Sequence, residues 1–217
     1  MANNIAFIGS FGTNKTQYKN FISDLLSPNV ASIVENISQT MLTNLEDKYK
    51  DYFEESYELQ LSCAFMRRVE MLSIDSSKHI VSDNCAINEL AQIMVVMNEL
   101  QHTIERSAQV LGPDGKPIMT ENYGQFVIIQ AVFQVLLNQV ALEKDFWNFL
   151  YYSPIYEPED GMLDEDGVKP KDRLRQKELD IALKTLIRQL KLNVIVLPSI
   201  KTEALKFLES EKRKWEK

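Results

Sequence analysis

The sequence predicts an α/β fold, a five-stranded parallel sheet flanked by helices, and three observations predict it. Five short apolar runs alternate with helical patterns along the chain. The first run passes directly into a Gly/Ser/Thr/Asn loop and then a helix. The last run, residues 192–197 (LNVIVL), is the clearest strand and is closed by Pro198. Such alternation calls for parallel strands whose crossover helices cover both sheet faces.

Taken in order, residues 4–8 (NIAFI) read as a buried strand. The following helix places Tyr18, Phe21, Ile22 and Leu25 on one face and breaks at Ser27-Pro28. Residues 30–34 (VASIV) are a second strand or the opening of a helix to Leu45. Residues 46–72 read as a helix burying Tyr52, Leu59, Cys63, Met66 and Val69. Residues 78–83 (KHIVSD) are a third strand ending on a carboxylate. Residues 84–111 form a long amphipathic helix, with Ile87, Leu90, Met94, Met97, Ile104, Ala108 and Leu111 at a 3-4 spacing and Gln101 in the remaining slot. That stripe fits either a core face or a homodimer face. After a Gly/Pro turn, residues 123–142 are apolar on most sides, which predicts a central helix. Residues 145–152 are aromatic and β-prone, with Trp147 expected in the core. An acidic Pro/Gly loop over 153–170 and a basic helix over 171–191 form a lid (153–190) within a single domain, 1–217. Ser199 is expected to cap the final helix, which runs to about Trp215.

Gly9-Ser10-Phe11-Gly12-Thr13-Asn14-Lys15-Thr16 matches the phosphate loop G-x-x-x-x-G-K-[ST] except at Asn14, where Gly is usual. In such a loop backbone N–H groups cradle phosphates, Lys reaches the β and γ phosphates, the hydroxyl binds Mg²⁺, and the next helix points its N-terminal dipole at the anion. Where that position needs a left-handed backbone, Asn is among the least costly replacements. The other reading is a Gly-rich turn with a solvated Lys.

The order IAFIGSFGTNKT, VASIVENIS, HIVSDN, YYSPIYEPEDGMLDEDGVKPKDRLRQKELD, LNVIVLPS resembles the small P-loop kinases of the nucleoside, nucleotide and ribosylnicotinamide kinase type, particularly their phage-encoded versions. The resemblance spans roughly residues 4–209. It implies ATP and Mg²⁺ as cofactors and a nucleotide and a small-molecule acceptor as partners. Glu35 stands at the acidic position after the second strand, with Ser38 where Arg is usual. Asp83 ends the third strand, with Asn84 where Arg is usual. Tyr152 to Pro154 resembles the run that closes the fourth strand. Asp166-Gly167-Val168-Lys169-Pro170, followed by Lys171, Arg173 and Arg175, resembles the lid.

The resemblance implies these roles. Gly9, Gly12, Thr13, Asn14, Lys15 and Thr16 hold the phosphates, with Lys169 and Lys171 closing over them. Thr16 and Asp83 hold Mg²⁺, Glu35 takes the acceptor hydroxyl proton, and Lys15, Arg173 and Arg175 stabilise charge in transfer. Each has a plainer reading: Asp83 as a helix N-cap, Glu35 as an exposed carboxylate, the basic helix as a solvated face. Ligands of open α/β sheets lie at the carboxyl ends of the strands, so Lys15, Glu35 and Asp83 are expected in one crevice.

Composition narrows the alternatives. The formal net charge of -7 disfavours nucleic acid as a partner. Cys63 and Cys85 read as free thiols in a reducing compartment, and the start MANNIAFIGS lacks a signal-peptide pattern, so a cytoplasmic location is expected, host cytoplasm for a phage protein. No stretch is expected to reach membrane-span length. His79 and His102 have no zinc-like spacing with the cysteines. Two further readings compete with a phosphotransferase. One is a catalytically degenerate P-loop module that binds nucleotide or a protein, favoured by Asn14, Ser38 and Asn84. The other is an all-helical adaptor, disfavoured by HIVSD and LNVIVLP.

Overall fold

The computed structural model describes residues 2–32, 57–108, 122–155 and 173–216. Five strands form one parallel sheet: β1 (Asn4–Ile8), β2 (Val30–Ser32), β3 (His79–Ser82), β4 (Phe149–Tyr152) and β5 (Ile195–Val196), in the order β2-β3-β1-β4-β5. The predicted α/β architecture is therefore the observed one. β1 is central because it is apolar on both faces; Ile5, Ala6, Phe7 and Ile8 are wholly buried. It pairs Ile5 with Val81 of β3 on one side and Phe149 of β4 on the other. The run at 30–34 is thus a strand at its start.

Two helices lie against one sheet face, α1 (Lys15–Leu26) and the last helix, α6 (Lys201–Trp215). Tyr18, Ile22 and Leu26 of α1 meet Leu208 and Trp215 of α6 there, around Phe7 and Tyr151. The other face carries α2 (Tyr57–Ser73), α3 (Ala86–Ala108), α4 (Asn122–Glu143) and α5 (Arg173–Gln189). Trp147 is buried in this second core, edge-on to Phe146.

Several expectations change. The α3 stripe is not a free dimer face: Ile87 and Leu90 are buried and Met94 and Met97 pack on the core, because α3 lies beneath α4 and α5. In α2, Leu59 and Cys63 are buried as expected, but Met66 and Val69 are exposed together with Phe65 and Leu72. The buried face of α2 runs instead through Leu59, Cys63, Ala64, Arg67 and Met71. A charged residue holds the position that periodicity would give to an apolar one.

Helix α4 is not central. Ile129, Val132, Leu136 and Val140 face the core, while Tyr123, Val127, Ile128, Val135 and Leu142 are exposed. The expectation that no stretch reaches membrane-span length is also overturned on length and composition. Tyr123–Glu143 is 21 residues at mean hydropathy 1.6. Its inner side packs into the domain like any core helix.

The last helix begins at Lys201 with Ile200 at its N-cap and no side-chain cap, so Ser199 does not cap it. Tyr52 and the rest of the 33–56 stretch lie outside the described residues, as does Leu111.

Candidate functional site

The carboxyl ends of β1 and β3, together with α2, α3 and α5, surround a cavity of about 480 Å³. Gly9, Gly12, Thr13, Asn14, Lys15, Thr16, Asp83 and Asn84 all line it, so the sequence-predicted loop and the third-strand carboxylate converge as expected. Glu35, Ser38, Lys169 and Lys171 lie outside the described residues.

The loop is held tightly from below. A Cβ on Gly9 would stand 2.6 Å from the Ser153 carbonyl and 2.7 Å from Thr13 Oγ1, so the backbone path excludes any side chain there. Thr13 Oγ1 donates to Ser10 O (2.8 Å), and Ser153 Oγ donates to Thr13 O (2.6 Å). Ser153 follows β4 directly, so the strand next to β1 clamps the loop. Gly12 is left-handed at φ 73, and Asn14 at φ 59, ψ 15. The one departure from the loop consensus therefore falls on a left-handed position, which Asn tolerates better than other side chains. The Asn14 side chain is hydrogen-bonded with the Tyr18 hydroxyl, as is Ser153. Burial raises the Tyr18 phenol, and those two contacts partly offset the rise.

Lys15 folds over the loop, donating from Nζ to Ser10 O at 2.5 Å. Burial lowers its pKa to about 8, against an opposing pull from Asp83 and then Cys85. Thr16 Oγ1 donates to Asp83 Oδ2 at 2.6 Å. Asp83 does not cap α3. The Ala86 N–H at the start of that helix is instead taken by Glu143 Oε2 of α4 (3.0 Å), whose other oxygen accepts from Gln139 (3.1 Å).

Deeper in the cavity stands a group that sequence reasoning missed. Arg67 of α2 and Glu89 of α3 form a buried bidentate pair, with Nη1 on Oε2 at 3.0 Å and Nη2 on Oε1. Burial opposes the charge of each. It raises the Glu89 carboxyl, with Arg67 pulling the other way; at Arg67 the adjacent Glu89 outweighs burial, and the guanidinium pKa is raised. Asn84, at the position where Arg is usual, donates to Glu89 Oε1 at 2.8 Å and accepts from Asn88. Asn88 Oδ1 in turn accepts the Gly9 N–H at 3.4 Å. A polar chain thus runs from the phosphate loop to α2. An Arg four residues after a Cys on an amphipathic helix gives no signal of this in sequence.

The basic helix reaches the loop through an uncharged residue. Gln176, fully buried, donates to Phe11 O at 2.9 Å and accepts from Arg173 Nη1 at 2.9 Å. Arg173 therefore stands near the loop. Arg175 is directed elsewhere, to Glu99 Oε1 of α3 at 2.5 Å and Glu178 at 3.8 Å.

The donor set suits a hard cation only in part. Among the described residues no three His, Cys, Asp or Glu side chains gather as a ready-made metal site. One hydroxyl and one carboxylate side by side fit Mg²⁺, which takes one or two protein oxygens and completes its shell from phosphates and water. The left-handed loop at the start of α1 fits a polyphosphate.

Together the sheet order, the loop and the strand-end carboxylate define a P-loop NTPase fold. No protein-family model matches the chain, and no curated protein matches it. Solved structures do match. Deoxyadenosine kinase from M. mycoides with bound dCTP aligns at TM-score 0.55 and 12% identity, over 97% of this chain and 99% of that one. With bound dATP the values are 0.56 and 10%, over 97% and 99%. NadR protein in complex with NR aligns at 0.53 and 14%, over 98% of this chain and 49% of that one. At such identities the likeness shows the fold alone.

Proposed function

We propose that this chain is a P-loop phosphotransferase that moves the γ-phosphoryl group of ATP to the hydroxyl of a small acceptor of the nucleoside, nucleotide or related type. The observation that carries the reading is the meeting of a left-handed phosphate loop, Lys15 and the Thr16–Asp83 pair in one cavity. The deoxyadenosine kinase structures with bound dCTP and dATP fit this reading.

Bound Mg²⁺ and ATP would supply the phosphoryl group and its charge neutralisation. The loop N–H groups from Ser10 to Thr16 would hold the phosphates in place, while the Gly9 N–H is taken by Asn88. Lys15 exchanges its Ser10 contact for phosphate oxygens, and Thr16 and Asp83 offer two hard oxygens to the cation. Arg173, steadied by Gln176, stands by the loop where charge develops. Glu35 is proposed as the base for the acceptor hydroxyl, with Lys169 and Lys171 closing from the lid. Arg175, engaged by Glu99, joins only if that exposed pair opens.

The acceptor end favours an uncharged molecule. Arg67, which lines the cavity, is neutralised by the buried Glu89, and position 84, where the family resemblance implies Arg, holds Asn. A guanidinium already held by a carboxylate offers less to a second phosphate than a free one does. A nucleoside-like acceptor is therefore preferred over a nucleotide.

Thermal unfolding with and without Mg·ATP tests the loop. At a hundred times its dissociation constant a ligand stabilises by about 2.7 kcal/mol, a shift of roughly 5–10 °C for a chain of this size. The shift is expected in the wild type and absent in Lys15→Ala. A phosphotransfer screen should then give product with nucleosides and little with nucleoside monophosphates. Binding without transfer to any acceptor would support the degenerate reading, which Asn14, Ser38 and Asn84 favour.

A further inference from the structure

We propose that a second hollow, beside the amino ends of β4 and β5, is a ligand site for a small monoanion with an apolar body, of the aryl carboxylate class, and that its occupancy is felt at the phosphate loop through the first turn of α3. The site is independent of the phosphotransfer reading, since this hollow and the phosphate-loop cavity share no lining residue.

Shape is the first argument. The hollow holds about 340 Å³, at the small end of the range for ligand pockets. Ile87, Val140, Trp147, Leu150 and Leu192 form its apolar wall, and the first three are otherwise buried in the core. Close-packed interiors leave few voids larger than a water molecule. An apolar wall that faces a hollow of this size lacks the contacts that a ligand body of about two fused rings supplies.

Charge is the second. Lys144, Asp145 and Lys191 stand exposed around the mouth. Neither ammonium has an ion-pair partner among the described residues. Two cations against one carboxylate leave the mouth with positive charge in excess. The buried carboxylate on the wall, Glu143, already accepts from the Ala86 N–H, from Gln139 and from the Trp147 indole at 3.4 Å, so its charge is spent on donors of the fold.

Backbone conformation is the third. Lys191 is left-handed at φ 51. Its N–H reaches Arg188 O at 3.3 Å and the Leu192 N–H reaches Ile187 O at 3.0 Å, the paired bonds that end a helix on a residue where Gly is usual. Gly would hold the same turn with less strain. Strain kept at one residue points to a task for its side chain.

The link to the loop is a chain of hydrogen bonds. Glu143 Oε2 holds both the Trp147 indole and the Ala86 N–H at the start of α3. Two residues on, Asn88 holds the Gly9 N–H, and Asn84 ties Asn88 to Glu89. A ligand against Trp147 and Ile87 bears on the turn that carries these contacts.

Isothermal titration with 2-naphthoate tests the site. The wild type is expected to bind it with a dissociation constant below about 1 mM, and to bind the neutral 2-naphthamide more weakly. Lys191→Gly should weaken 2-naphthoate roughly 2- to 5-fold and leave 2-naphthamide unchanged. Its melting temperature should not fall, because the substitution relieves the backbone. Leu192→Trp, which fills the hollow, should abolish binding, whereas Lys15→Ala in the other cavity should not. If Leu192→Trp does not fold, Lys191→Gly and the neutral probe make the test. Hydrogen exchange at the Ala86 and Gly9 amides should slow with 2-naphthoate bound, a readout that needs no nucleotide and so stands apart from the phosphotransfer reading. No binding at millimolar probe, binding that survives Leu192→Trp, or equal affinity for the two probes overturns the site. Unchanged exchange at both amides with the site occupied overturns the link to the loop.

Discussion

Lys15 carries its proton less readily in the fold than in the unfolded chain, about 8 against 10.5. Between those values the unfolded state binds more protons, so this group makes the fold more stable as pH rises from 8 to 10.5 and disfavours it below 8. A polyphosphate reverses the balance because it favours the ammonium form. Binding of Mg·ATP should therefore be insensitive to this group below about pH 7. It should weaken toward about tenfold per pH unit above 8, with proton uptake that calorimetry in two buffers measures. Lys15→Arg, charged throughout, should flatten the profile; an equally steep profile in that variant would remove Lys15 as its source. At this scale the loop was legible because its signature fixes residue types at fixed offsets. Asn14 illustrates it: Asn is among the least costly side chains for a left-handed backbone, and the backbone there is left-handed. Arg67 was not legible. Its burial depends on Glu89 arriving from another helix, and no local pattern encodes that meeting.

Helix α5 presents its first turn to the phosphate loop through Gln176 rather than through its arginines alone. Replacing Gln176 by Met keeps the volume and removes the bonds to Phe11 and Arg173, leaving the Phe11 carbonyl without that donor. At about 1–2 kcal/mol for the lost buried bond to the loop, Mg·ATP affinity should fall roughly 5- to 30-fold. Hydrogen exchange at the loop amides should quicken, and unchanged exchange there would show that α5 does not brace the loop. Short strands were legible as apolar runs bounded by turn residues. The environment of the helices was less so: α4 is apolar nearly all round, which predicts a central position, yet half of it faces outward. Periodicity reports which faces are apolar, and not which neighbour covers them.

The molecule as a whole is two cores on either side of one sheet, and α6 closes the thinner one. Trp215 is fully buried, edge-on to Tyr151, with its indole N–H on the Tyr151 hydroxyl at 3.0 Å and its carbonyl accepting from Asn3 Nδ2 at 2.7 Å. Trp215→Ala should cost about 3–5 kcal/mol in urea unfolding. A loss under about 1 kcal/mol would mean that α6 is an appendage and not part of the folding unit.

The central position of β1 has a consequence for the order of events during synthesis. β1 leaves the ribosome before the other four strands, yet its two neighbours are β3 and β4, and the second of these exists only once Phe149 has been made. At about 5–20 residues per second the most apolar strand of the sheet waits roughly 7–30 s for that edge. Until then one edge of Ile5 to Ile8 stays open to non-native pairing, even once β3 has closed the other.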